Sequence, residues 1–312
     1  MIEVEHLAKS YGPRSAIHDL TFQVNQGEVV GFLGPNGAGK TTTMNILCCI
    51  LPASSGTARV CGFDIFEQSY EIRKRIGYLP ETPPLYQDMV VSKYLAFAAG
   101  LRGVPKKQIA SAVDRVLGQC HIRDVQDRII GRLSKGYQQR IGLAQAMIHD
   151  PEILILDEPT IGLDPIQIIE IRKLIQELGK SHTILLSSHI LPEVTQICQR
   201  VIIIHEGRIA AMDTLDGLNA SLRHSNRLEL RVRNADNGIA SKLEALDQVS
   251  AVQTDGANRF FIDSISSQPV QDDVARLVLD QGWGLEELKP VSMTLEDIFL
   301  KLTTEEKLDT TS

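Results

Sequence analysis

The chain has 312 residues, 43% of them hydrophobic and 23% charged, which is ample for packed cores in about two domains at roughly 150 residues each. Its 32 basic and 39 acidic side chains leave a formal net charge of −7, the wrong sign for a protein built to grip a phosphate backbone, so no nucleic-acid partner is expected. Cys48, Cys49, Cys61, Cys120 and Cys198 are scattered and lack CxxC spacing, which argues against a disulfide framework or a zinc site, and no run approaches the 18 or more apolar residues of a membrane-spanning helix.

Met1 to Glu5 alternates in polarity and carries acid, so it reads as a strand and not as a signal peptide. The alternation returns at Phe22 and Val24, with Gly12-Pro13 as a turn between antiparallel strands. Glu28 to Leu33 is a short apolar run that feeds a Gly-rich segment, Gly34-Pro35-Asn36-Gly37-Ala38-Gly39-Lys40-Thr41-Thr42, with a helix expected from about Lys40. This fits the phosphate-loop pattern GxxxxGK[ST] in its strand–loop–helix setting. Glycines allow a tight backbone whose N–H groups face phosphate oxygens, and the helix N-terminus adds partial positive charge. Lys40 is placed to reach the β- and γ-phosphates of a bound nucleotide, Thr41 to offer its hydroxyl to Mg²⁺, and Thr42 to support the α-phosphate.

Residues 90–150 have helical spacing until Asp150-Pro151 breaks it. Pro83-Pro84 and the apolar Val90, Val91, Leu95 and Phe97 read either as an exposed partner surface or as ordinary helical core. Ile153-Leu154-Ile155-Leu156 is a buried strand that ends in Asp157-Glu158. Alone, the acids also read as an Asp-Glu-Pro turn. Paired with the phosphate loop, Asp157 is expected to hold Mg²⁺ and Glu158 to polarise the attacking water, alternation along the strand separating the two carboxylates. A helix near 166–179, a strand near 183–187 and a strand near 200–205 follow. Strands alternating with helices predict an α/β domain with a mainly parallel sheet.

Beyond about residue 220 the expected order is strand 228–232, helix 239–246, strands 249–254 and 259–265, helix 270–281 and strand 284–288. That βαββαβ order predicts a small ferredoxin-like α+β domain. A last helix at 295–302 precedes a polar tail, expected to be disordered. The predicted organisation is thus 1–220, 221–304 and a tail at 305–312.

The phosphate loop and the acid-ended strand together resemble the ATP-binding cassette (ABC) family of P-loop ATPases, over about residues 1–220. Leu133-Ser134-Lys135-Gly136-Tyr137-Gln138-Gln139-Arg140 is similar to its signature loop, although by itself it is an N-capped helix. Ile161-Gly162-Leu163-Asp164-Pro165 resembles the loop that couples two sites across a dimer, and Asp164 is equally a helix cap. His189 matches the switch histidine at the γ-phosphate, and Tyr11 the aromatic that stacks on adenine; Tyr11 also reads as a half-exposed strand residue. Three positions depart from the family pattern: Glu81 stands where glutamine is usual near the metal, Lys135 replaces a glycine and Tyr137 a glutamine.

The resemblance implies a homodimer, or a pairing with a different cassette, in which Ser134 and Gly136 of one subunit close over ATP on the other and Asp164 lies in the nucleotide-site loop that couples the two sites, with Lys40, Glu158 and His189 catalysing hydrolysis and Thr41, Asp157 and Glu81 at Mg²⁺. It implies a separately encoded integral-membrane permease that docks near residues 81–105, and a position on the cytoplasmic face of the plasma membrane. It is closest to ATPase subunits of ABC-2-type exporters of the gliding-motility and drug-resistance group. The rivals are a soluble ATPase switch on ribosomes or DNA, and a module that holds ATP without turnover.

Overall fold

The computed structural model describes residues 1–214, 217, 227–236, 238–264 and 270–291. The chain divides into two compact units, one ending at Leu215 and one beginning at Asp216. The division expected after residue 220 falls in a stretch outside the described residues, as do the helix expected at 295–302 and the tail at 305–312.

The first unit opens with an antiparallel hairpin, β1 (Ile2–Tyr11) and β2 (Arg14–Val24), turning at Gly12-Pro13 as predicted. Strand β3 (Val29–Leu33) is buried at every residue, and helix α1 (Lys40–Leu47) follows the phosphate loop. Next come β4 (Ser55–Val60), β5 (Phe63–Asp64), α2 (Ser69–Arg75) and β6 (Ile76–Leu79). The predicted helical stretch contains α3 (Val91–Leu101), α4 (Ile109–Gln119) and α5 (Lys135–Met147). The chain then alternates β7 (Ile153–Leu156), α6 (Pro165–Leu178), β8 (Thr183–Ser188), α7 (Leu191–Ile197), β9 (Arg200–His205) and β10 (Arg208–Thr214).

Two sheets result. The order β2-β1-β4-β5 is antiparallel, and a six-stranded sheet runs β10-β9-β3-β8-β7-β6. In the latter every pair is parallel except β10 on β9. Strands β3, β7 and β8 are buried throughout, as apolar runs covered on both faces require. Phe22 of β2 and Phe32 of β3 meet with ring centroids 5.6 Å apart, inside one apolar core shared by both sheets.

Register decides where the functional loops go. Leu33 pairs with Ser188, Leu156 with Leu186 and Leu79 with Leu156, so the carboxyl ends of β3, β8, β7 and β6 finish together. The loops that leave this edge begin with Gly34, His189, Asp157 and Pro80. Ligands in open parallel sheets bind along such an edge.

The ambiguous apolar run at 90–97 resolves mostly as core: Val91 and Leu95 are wholly buried, whereas Phe97 is exposed together with Tyr86 and Leu101.

The second unit has β11 (Arg227–Val232), α8 (Ile239–Glu244), β12 (Val249–Thr254), β13 (Arg259–Ser264), α9 (Gln271–Asp280) and β14 (Leu285–Val291). Its sheet order is β12-β13-β11-β14, antiparallel throughout. Strand β13 lies between β11 and β12, which α8 joins; this is the split βαβ arrangement of a ferredoxin-like unit. Leu230, Phe260, Ile262, Val274 and Trp283 share its core.

Candidate functional site

The phosphate loop leaves the end of β3 with Gly34 N–H donating to Ser188 O at 3.2 Å. A Cβ at Gly34 would stand 2.3 Å from Ile204 O, and Gly39 adopts φ +106, so neither position tolerates a side chain without backbone movement. No side chain caps α1, which leaves its first N–H groups for a ligand. Lys40 is 6% exposed, and its ammonium donates to Gly34 O at 2.8 Å and Pro35 O at 3.2 Å.

That ammonium also lies 3.3 Å from Glu158 Oε1 in an ion pair. The other carboxylate oxygen of Glu158 lies 2.9 Å from His189 Nδ1. Because a carboxylate accepts, Nδ1 carries the proton and Nε2 is left for another partner. Asp157 and Glu158 are both buried. They stand just past the end of β7, and Glu158 has a left-handed backbone at φ 47. Their divergence therefore comes from this turn and not, as expected from the sequence, from alternation along the strand.

Ser187, at 0% exposure, holds the pair together. Its hydroxyl donates to Asp157 Oδ1 at 2.5 Å and accepts from Glu158 N–H at 2.9 Å. Nothing local in the sequence marks this serine. It belongs to β8, and only the pairing of β7 with β8 brings it to the acids.

A cleft of about 1070 Å³ opens over the loop, lined by Tyr11, the run Pro35 to Thr42, Glu81 and Glu158. Arg14, His18, His205 and Glu206 also line it and were not picked out from the sequence. Tyr11 is 47% exposed in the cleft lining, with the Lys9 ammonium over its ring at 5.3 Å from the centroid. Asp157 and His189 stand behind the lining, joined to it through Ser187 and Glu158.

Ser134, Gly136 and Asp164 are not in the cleft wall. Ser134 caps α5 by accepting from Tyr137 N–H at 3.4 Å, and Asp164 caps α6 by accepting from Ile166 and Gln167 N–H at 3.0 and 2.9 Å. A Cβ at Gly162 would stand 2.1 Å from Lys135 Nζ, so Lys135 lies over the 161–164 loop, and Tyr137 donates its hydroxyl to Asp124 at 2.6 Å.

An ABC transporter family model matches residues 17–161. The bacitracin transport ATP-binding protein BcrA of Bacillus licheniformis is 35% identical over 97% of this chain and 97% of its own length. The chain belongs to the ABC transporter ATP-binding subunit family. A second relative, the Nod factor export ATP-binding protein I of Paraburkholderia xenovorans, is 35% identical over 99% of this chain and 98% of its own length. A solved ATP-binding subunit of an ABC transporter is 30% identical, covers 72% of this chain and 93% of that one, and superposes with a TM-score of 0.64.

The ABC subunit is an ATP-binding ATPase. Subunits of this kind dimerise and work with separate transmembrane partners. No helix among the described residues is long and apolar enough to cross a membrane.

Proposed function

We propose that this ABC subunit hydrolyses Mg-ATP in the cleft over residues 34–42 and powers an exporter through a separately encoded integral-membrane permease, on the cytoplasmic face of the plasma membrane. The observation that carries the reading is Glu158, a buried carboxylate fixed between Lys40 and His189 at the mouth of the phosphate loop.

Phosphoryl transfer needs positioning and charge neutralisation more than covalent help. Lys40 and the first N–H groups of α1 neutralise the phosphates. Glu158 takes the role of general base, aimed by the hydrogen bond it accepts from His189 Nδ1–H, while Nε2 of that ring is left for the γ-phosphate. Tyr11 stacks on the adenine.

Thr41, Asp157 and Glu81 offer hydroxyl and carboxylate oxygens, a hard donor set suited to Mg²⁺. Among the described residues no three His, Cys, Asp or Glu side chains cluster into a metal cage. When bound, Mg²⁺ would supply neutralisation of charge on the phosphates.

Ser134, Gly136 and Asp164 lie outside their own chain's cleft, which supports a homodimer in which Ser134 and Gly136 close over ATP held by the other copy and the Asp164 loop couples the two sites. Export is supported by the similarity to proteins named for bacitracin transport and Nod factor export. Docking of the permease near residues 81–105 is supported by Tyr86, Phe97 and Leu101, which are exposed there, the first two rings standing 5.6 Å apart.

The test is Glu158→Gln. Phosphate release is expected to fall by roughly 10²–10⁴-fold while ATP binding persists. With Mg-ATP the variant is expected to elute as a dimer and to retain a polytopic membrane protein from solubilised membranes. Undiminished turnover refutes the role of Glu158, and recovery of ribosomes or nucleic acid in place of a membrane protein refutes the exporter.

A further inference from the structure

Glu193 is a buried acid that the proposed chemistry does not use. It lies in the first turn of α7, four residues past His189, and is 3% exposed. A carboxylate this deeply buried needs partners. Its Oε2 accepts from the hydroxyl of Thr160, itself 5% exposed, at 2.5 Å. Its Oε1 lies 3.3 Å from Nη2 of Arg172 on α6, and Arg172 Nη1 donates at 2.9 Å to Gln196, one turn further along α7.

The three elements held by this carboxylate are those that adjoin the reacting groups. Thr160 is two residues past Glu158, whose carbonyl accepts from Ile161 N–H at 3.1 Å. Leu163 N–H donates to Thr160 O at 3.3 Å, so the turn continues into the loop that Asp164 caps at the start of α6. Glu193 N–H in turn donates to Ile190 O at 3.2 Å, one residue from His189. The Glu158–His189 contact is thus bridged a second time, from behind, by Thr160 and Glu193.

We propose that Glu193 is a positioning residue for ATP hydrolysis: through Thr160 and Arg172 it locks the 158–164 loop to the helix that follows His189, so that a displacement of that loop moves the Glu158–His189 pair as one body. The inference rests on the reading of Glu158 as the base. In a dimer closed through the 161–164 loop, the lock passes closure by the second copy to the base and histidine. The pair held through these two carboxylate contacts is sensitive to small shifts, since a misplacement of about 1 Å can cost about 100-fold in rate.

The test measures steady-state kcat and KM for Mg-ATP in Thr160→Val, Thr160→Ser, Glu193→Gln and the Thr160→Val/Glu193→Gln double variant, with ATP binding and melting temperature in parallel. Thr160→Val is expected to lower kcat by about 10- to 100-fold with KM within about twofold of the parent. Thr160→Ser, which keeps the hydroxyl, is expected to restore most of the rate. The double variant is expected to fall no further than the worse single variant, since both break one lock. The proposal is overturned if a folded Thr160→Val retains kcat, if Thr160→Ser is as slow as Thr160→Val, if KM alone rises, or if the two losses multiply. Should Thr160→Val fail to fold, Glu193→Gln and Thr160→Ser decide by the same kcat and KM criteria. Glu158→Gln, assayed alongside, separates failure of the lock from failure of the base: if it keeps full turnover, the underlying reading is what fails.

Discussion

Ser187→Ala probes how the two carboxylates are held. The serine hydroxyl supplies two buried hydrogen bonds, one donated to Asp157 Oδ1 and one accepted from Glu158 N–H. The first goes to a charged acceptor, worth about 1.5–3 kcal/mol, and loss of the second leaves a buried N–H short of a partner at about 1–3 kcal/mol. The two are coupled through one atom, so a total near 3 kcal/mol is expected and not the sum of the upper bounds. In a unit of this size each kcal/mol moves the melting temperature by roughly 2–4 °C, which gives a fall of about 6–12 °C. Both acids lose their common anchor, so kcat is expected to drop about 10- to 100-fold. Differential scanning fluorimetry and a phosphate-release assay read the two effects. A variant that melts within about 2 °C of the parent and keeps its kcat within about twofold would refute the account of Ser187.

The glycines of the two loops should respond differently. Gly34→Ala drives a methyl to 2.3 Å from the Ile204 carbonyl, backbone of the buried strand β9, whereas in Gly136→Ala the nearest atom is the end of the Gln167 side chain at 2.6 Å, which can swing away. Gly34→Ala is therefore expected to yield aggregated or strongly destabilised protein, and Gly136→Ala a melting temperature within a few degrees of the parent; the reverse order in thermal melts would contradict the packing. In the second unit, the Arg259 guanidinium bound to Glu229 at 2.7 Å, helped by Lys289 and Arg231 against the opposing effect of burial, holds that carboxyl at about 2 against an ordinary 4.5. The folded form keeps the charge through this window while the unfolded chain takes up a proton, so the stabilisation is present in full above about pH 4.5 and is lost as pH falls toward 2. The single tryptophan, Trp283, lies in that unit's core, so its fluorescence in urea at pH 3 and pH 6 measures the loss. Glu229→Gln is expected to flatten the pH dependence; an equally steep fall in that variant would assign it to other groups.

Much of the protein was legible in the sequence because its signals are local. The phosphate loop is one contiguous run whose glycines, lysine and threonine all act within a single strand–loop–helix turn. The all-apolar Ile153–Leu156, bounded by Pro151 and Pro159, reads as a strand covered on both faces with the acids at its end, and the structure places it so. The βαββαβ order of the second unit was readable from alternation and turn residues in the same way. What the sequence could not supply was which distant residues complete each site. Ser187 reaches Asp157 only because β8 pairs with β7, and Ser188 accepts from Gly34 only because β8 also pairs with β3. The sequence could not separate buried Leu95 from exposed Phe97 either, since both fit a helix and only its neighbours decide which face is covered. Nor could it single out Glu193, an acid in an amphipathic helix that looks solvated until Thr160 and Arg172 are packed against it. Local motifs follow from backbone chemistry that acts over a few residues. The partners of a buried polar group follow from strand order and register, which are settled by how the whole core packs.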